Sequence, residues 1–153
     1  KILKFSDFVL RVSNLHQGVK MDAGKTKKRR KKNLEIRFCE QLVKECPRFA
    51  AALDCLGTEY TRCGFYEEGL RVDERLVALQ PEDPYAWYNM GCSYSLLGRL
   101  DESLEALRKA VALGYTDFRH MFRDEDLANV RATEDFKALM RRIRDERSAR
   151  RNA

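Results

Sequence analysis

The chain has 153 residues, 44% hydrophobic and 35% charged, with a formal net charge of +6. The length fits one domain with tails, no apolar run approaches the length of a membrane span, and 3 Pro with 8 Gly exclude collagen-like and Pro-rich chains. The charge is unevenly placed: residues 1–32 hold 11 Lys and Arg against 2 acids, residues 33–140 hold 13 against 20, and residues 141–153 hold 6 against 2. An acidic body therefore carries two basic ends, and any nucleic-acid reading rests on the ends.

Residues 1–32 read as a basic segment that is unfolded or extraneous to the fold. Ile2, Phe5, Val9 and Val12 would share one side of a short helix. Met21 resembles a natural start, which would leave residues 1–20 upstream of it. Residues 25–32, from Lys25 to Lys32, read KTKKRRKK. Mutual repulsion favours an extended, solvated run. Such a run suits a solubilising tail, a nuclear-localisation-like or nucleic-acid patch, or an anionic membrane surface. No aromatic residue is interleaved, so base stacking is unsupported.

Five cysteines, at 39, 46, 55, 63 and 92, make an odd set without a CxxC pair. Lys4, Asp7 and Arg11 interrupt the only apolar stretch of residues 1–19, so no secretory leader is read. Free thiols acting as small core residues are expected, in a reducing compartment, the cytoplasm.

Residues 33–47 read as a helix with Leu34, Phe38, Leu42 and Val43 on its apolar face and Pro47 after its end. From there the chain repeats itself. Residues 53–79 and 87–113, offset by 34, are identical at 8 of 27 positions: Gly57/Gly91, Tyr60/Tyr94, Gly64/Gly98, Glu68/Glu102, Leu70/Leu104, Val77/Val111, Ala78/Ala112 and Leu79/Leu113. Each unit reads as helix, turn, helix. In the later one, a first helix of about residues 84–97 opens on Pro84, which suits a first helical turn. Trp87, Met90, Gly91 and Tyr94 recur at helical spacing. Gly98 ends that helix, and a second follows over about 100–113, with Leu104, Leu107, Ala110 and Val111 inward. Gly57 and Gly91, each costing about 1 kcal/mol inside a helix, imply two equivalent close helix crossings.

These residues resemble the tetratricopeptide repeat family. The later unit carries the resemblance on Trp87, Met90, Gly91, Tyr94, Ser103, Leu107 and Ala110. The earlier one carries it on Leu53, Leu56, Gly57, Tyr60, Gly69, Leu76 and Pro81. The earlier unit departs from the pattern at Asp73, which implies a looser or solvent-exposed second helix. The resemblance implies an all-α fold, a short right-handed solenoid. It would comprise a half-repeat at 33–47, repeats at 50–81 and 84–115, and a C-terminal segment at 116–153. That segment places Phe118, Met121, Phe122 and Leu127 around Asp124, Glu125 and Asp126. Thr133 then caps a last helix of about 134–147 with Phe136, Leu139, Met140 and Ile143 as its stripe. Its first part is similar to the closing segment of many bacterial groups of the family, which implies a terminal cap.

No catalytic constellation is visible. The histidines are His16 and His120, and no Gly-rich phosphate loop occurs. Asp124, Glu125 and Asp126 lack the spaced ligand pattern of a cation loop and read as capping or solvated acids. No metal, cofactor or enzymatic activity is expected. By the resemblance, the first helices line a concave groove, with Ala51, Asp54, Thr58 and Arg62 from one unit and Tyr85, Tyr88, Asn89, Cys92 and Ser95 from the next. Tyr85 and Tyr88 read either as interface anchors or as packing on neighbouring helices. The family's carboxylate clamp is not implied, because Asp54 and Thr58 occupy two of its places. The expected function is protein binding by an adaptor or scaffold, with a peptide or partner helix in the groove. The alternative is weak nucleic-acid contact through residues 25–32 and through Arg141 to Arg151. Homo-oligomers are compatible with either reading.

Overall fold

A computed structural model describes residues 33–151. The readings made for residues 1–32, the basic run at 25–32 and His16 among them, lie outside the described residues. The described residues fold into helices without strands: α1 (Leu34–Glu45), α2 (Ala50–Arg62), α3 (Tyr66–Leu79), α4 (Pro84–Leu96), α5 (Leu100–Ala112), α6 (Phe118–Arg123), a 3-10 turn (Glu125–Leu127), α7 (Ala128–Arg131) and α8 (Glu134–Arg151). From α1 to α5 each helix packs on the next, and the segment from α6 onward closes over α4 and α5. The result is an all-α solenoid with a closing segment.

Three turns share one mechanism. Gly64, Gly98 and Gly114 take positive φ of 75°, 73° and 104°. The N–H of the following residue then reaches back to a carbonyl of the ending helix: Phe65 to Tyr60 at 2.8 Å, Arg99 to Tyr94 at 2.9 Å and Tyr115 to Ala110 at 2.9 Å. This left-handed cap satisfies carbonyls the helix leaves unpaired. Other ends use side chains. Asn33 Oδ1 accepts from Ile36 N at 2.8 Å, Asp83 Oδ1 from Tyr85 N at 2.9 Å ahead of Pro84, and Thr133 Oγ1 from Phe136 N at 3.2 Å.

The helix crossings fall where the glycines predict. A Cβ on Gly91 would lie 3.0 Å from Leu107 Cδ2 and 3.4 Å from Ser103 O, and one on Gly57 would lie 2.7 Å from Asp73 Oδ1. Positions 73 and 107 are 34 apart, so Asp73 and Leu107 occupy the same notch in successive units. Here the structure corrects the sequence reading. Asp73 is not on a loose or exposed helix: it is 3% exposed, within an unbroken α3. The space left by Gly57 admits its carboxyl, and the Ser93 hydroxyl donates to Oδ2 at 2.5 Å, so the buried polar group is partnered.

Two further faces differ from expectation. α1 buries Ile36, Cys39 and Val43, while Leu34 is 65% exposed; its apolar face is thus rotated from the one its sequence suggested. α4 buries residues around much of its circumference, including Ala86, Tyr88, Met90 and Ser93. It lies between α3, α5 and the closing segment, and a helix covered on several sides has no single stripe. In that segment Met121, Leu127, Val130 and Phe136 are fully buried, whereas Phe122 is exposed. α8 runs to Arg151, beyond the predicted end near 147.

Candidate functional site

The described residues enclose an open cavity of about 540 Å³. Its walls come from α2 (Thr58, Thr61 and Arg62), α3 (Tyr66 and Asp73), α4 (Tyr88, Asn89 and Cys92) and the closing segment (His120, Asp124 and Asp126). The rise of a helix brings every third or fourth residue to one face, which explains why Thr58, Thr61 and Arg62, or Tyr88 and Cys92, arrive together.

Asp124 organises the far wall. Its Oδ1 accepts from the N–H of Asp126 at 3.0 Å and starts the 3-10 turn. Its Oδ2 accepts from the Tyr88 hydroxyl at 2.5 Å and from the Cys92 thiol at 3.8 Å, and lies 3.2 Å from His120 Nε2. The Arg131 guanidinium donates to the Asp124 carbonyl at 2.9 Å and to that of Phe122 at 3.0 Å. The acidic turn is therefore a built strut between α4 and the closing segment. Tyr88 completes it by stacking on Tyr115, with ring centroids 4.4 Å apart and planes 7° from parallel.

Burial, reinforced by Asp124 and Asp126, holds the Cys92 thiol well above its usual range, so it stays protonated and unreactive at neutral pH. Burial, with Cys92 and Asp124 adding to it, also pushes the Tyr88 phenol up. Asp126 is raised by burial and then by Asp124 and Glu125. Asp73 is pushed up to about 7, chiefly by burial, with the Ser93 hydrogen bond opposing. Among the described residues no group of three His, Cys, Asp or Glu is placed to hold a metal ion.

The residues proposed from sequence separate into three groups. Thr58, Arg62 and Asn89 line the cavity with accessible surface, although the Arg62 guanidinium donates to Glu59 and the Asn89 amide to Asp54. Tyr88 and Cys92 also line it, at 5% and 7% exposure, yet their polar atoms are committed to Asp124. Asp54, Tyr85 and Ser95 stand apart from the cavity walls. Asp54 Oδ1 accepts from Asn89 Nδ2 at 3.0 Å and ties α2 to α4. Tyr85 is 58% exposed and meets Tyr115 edge-on at 5.4 Å. Ser95 is fully buried: its carbonyl accepts from Asn129 Nδ2 and its hydroxyl from Val130 N. Sequence reasoning missed Tyr66, Asp73, His120, Asp124 and Asp126 as wall residues. Asp73 carried a signal, its departure from the repeat pattern. Tyr66 arrives by the packing of α3 on α2, and His120, Asp124 and Asp126 depend on how the closing segment folds back.

The basic C-terminal end is partly neutralised within α8. Arg142 pairs with Glu146 at 2.8 Å, Arg144 with Asp145 at 3.3 Å, and Arg147 lies over the Phe118 ring at 5.5 Å. Among the described residues no helix is long and apolar enough to cross a membrane.

With this geometry in place, the comparisons with known proteins are specific. The family model for the tetratricopeptide repeat matches residues 84–113, the α4–α5 pair. The chain is similar to a curated protein of Arabidopsis thaliana whose name marks it as chloroplastic, at 35% identity over 90 residues, covering 57% of this chain and 27% of that protein. The chain thus spans about a quarter of the length of the curated relative it matches. Tetratricopeptide repeats mediate protein–protein interaction. The α4–α5 pair thus matches a tetratricopeptide repeat, and the described residues form an all-α fold consistent with a solenoid of that plan.

Proposed function

We propose that the chain is a non-catalytic adaptor or scaffold that binds a peptide or partner helix across the mouth of the concave cavity. One observation carries the reading: the cavity is open and lined by the accessible Thr58, Arg62 and Asn89, beside the buried Tyr88 and Cys92, which are hydrogen-bonded to Asp124. Rigid walls reduce the ordering cost of binding, and short polar and cationic side chains at the rim supply hydrogen bonds to an extended backbone. A groove formed by two repeats buries little area, so affinity is modest for a single peptide. The free thiols fit a reducing compartment. The cytoplasm is the expectation from sequence, while the relative's name places that other protein in the chloroplast.

The test is selection from a displayed peptide library against the whole chain, followed by titration with Arg62→Ala/Asn89→Ala. Arg62 pairs with Glu59 and Asn89 ties α2 to α4 through Asp54, so a thermal melt of the variant runs beside the titration and separates lost binding from lost fold. The expected result is a selected peptide whose affinity falls about tenfold or more in the variant, the loss of one or two central contacts. It should change little between low and physiological salt. Unchanged affinity in the variant would sink the groove reading. Capture of nuclease-sensitive material that leaves with salt would assign binding to the basic ends instead.

A further inference from the structure

Two of the five cysteines are not isolated. Cys39 on α1 and Cys55 on α2 bring their sulfurs to 3.0 Å of one another, across the crossing of the two helices. A disulfide bond is about 2.0 Å long, so the pair lies about 1 Å from bonding distance. The two differ in access: Cys39 is 3% exposed and Cys55 is half-buried. No CxxC spacing announces this pair, because the contact is made by helix packing across 16 positions.

We infer that Cys39 and Cys55 form a reversible thiol-oxidation site, closed to a disulfide by a low-molecular-weight disulfide, with Cys55 as the attacking and Cys39 as the resolving residue. The Cys55 thiolate attacks one sulfur of the oxidant. The oxidant's S–S bond breaks, and its other half leaves as a thiol that carries away the Cys55 proton. The Cys39 thiolate then attacks Cys55 Sγ in the mixed disulfide, and the second half leaves with the Cys39 proton. Two protein thiols lose two electrons and two protons, and one small disulfide becomes two thiols.

The division of roles follows from the surroundings. The hydrogen bond between the sulfurs lowers Cys55 and raises Cys39, and burial raises Cys39 further. The accessible sulfur is thus the one favoured as thiolate, which is the attacking species. Glu59 acts on both sulfurs, Glu35 on Cys39 and Asp54 on Cys55. These acidic side chains, offset in part by Arg62 paired to Glu59 at 2.5 Å, disfavour an anionic oxidant relative to a cationic one. Closure would fasten α1 to α2. α1 is the first described helix and packs mainly on α2, so the bond governs how firmly that end of the solenoid is held.

The experiment uses the full reduced chain, treated with cystamine or with glutathione disulfide, quenched at intervals with an alkylating agent and mapped by peptide mass spectrometry. Cys46 and Cys63 serve as internal references. The expected product is a linked Cys39–Cys55 peptide lacking two hydrogens, formed about tenfold faster with cationic cystamine than with anionic glutathione disulfide. Cys39→Ala should accumulate a stable mixed disulfide on Cys55, and Cys55→Ala should leave Cys39 a free thiol. Amide exchange across Leu34–Glu45 should slow on oxidation and recover with a dithiol reductant. The inference is overturned if Cys39 and Cys55 stay reduced while Cys46 and Cys63 carry the oxidant, or if Cys39 links to another cysteine. The map of the unaltered chain decides this even where a variant folds poorly.

Discussion

The Ser93 hydroxyl on α4 donates to Asp73 Oδ2 on α3 at 2.5 Å, and both residues are buried, at 2% and 3% exposure. This is the polar seam between the two repeats, and it has a pH signature. Asp73 is pushed up to about 7 by burial, against about 3.9 in an unfolded chain. Between these values the folded chain holds a proton that the unfolded chain has released. That contribution is complete below the unfolded value and is lost as pH rises through about 7. Asp73→Asn removes the titration. Its melting temperature relative to the unaltered chain should therefore climb from about pH 4 to about pH 7 and level off above that. Thermal melts across that range check it; a constant difference would mean that Asp73 is ionised throughout.

The same notch in the next unit holds Leu107, fully buried against Gly91. Making the earlier crossing a copy of the later one, with Asp73→Leu and Ser93→Ala together, should stabilise the chain by about 1–3 kcal/mol at neutral pH, because two desolvated polar groups are replaced by apolar packing. Asp73→Leu alone leaves the Ser93 hydroxyl buried without its acceptor, which offsets about 1–3 kcal/mol. Urea unfolding of the single and double variants measures both. Equal midpoints for the two would show that the hydroxyl finds another partner.

Gly91→Ala is the complementary change. The added methyl would meet Leu107 Cδ2 at 3.0 Å and Cγ at 3.1 Å, with Leu107 fully buried and unable to swing away. The expected cost is about 1–3 kcal/mol from overpacking, larger than the roughly 1 kcal/mol that Ala would gain over Gly from helix propensity. A denaturation midpoint above that of the unaltered chain would mean that α4 and α5 can part without loss.

What could be read in the sequence was what repeats. Gly57/Gly91 and Gly64/Gly98 recur at a fixed interval because one helix crossing and one turn are built twice, and that periodicity exposes the solenoid. What could not be read was what happens once. The closing segment folds its acidic turn onto α4, where Asp124 bonds Tyr88 and Cys92 in the cavity wall, while Asn129 and Val130 bond the buried Ser95. No spacing in the chain encodes that contact, since Tyr88 and Asp124 lie 36 positions apart and belong to different kinds of unit. Asp73 lay between these cases. Its departure from the repeat pattern was visible, but its burial depends on Gly57 beneath it and Ser93 across from it, which only packing brings together.

Tyr88 is where anchor and strut can be told apart. Tyr88→Phe keeps the ring stacked on Tyr115 and removes only the hydroxyl, so the Asp124 carboxylate loses one donor while the His120 nitrogen at 3.2 Å and the Cys92 thiol remain. The expected destabilisation is about 1–3 kcal/mol, that of a hydrogen bond to a charged acceptor. Tyr88→Ala also empties the space beneath the closing segment and should cost about 3–5 kcal/mol. In hydrogen exchange the loss should concentrate in the 3-10 turn and α7, which rest on α4, and leave α1 unchanged. If Tyr88 is a strut, Tyr88→Phe loosens that segment but leaves affinity for a groove-selected peptide within about threefold. A loss of binding larger than the loss of stability would mark it as an anchor that meets the partner directly.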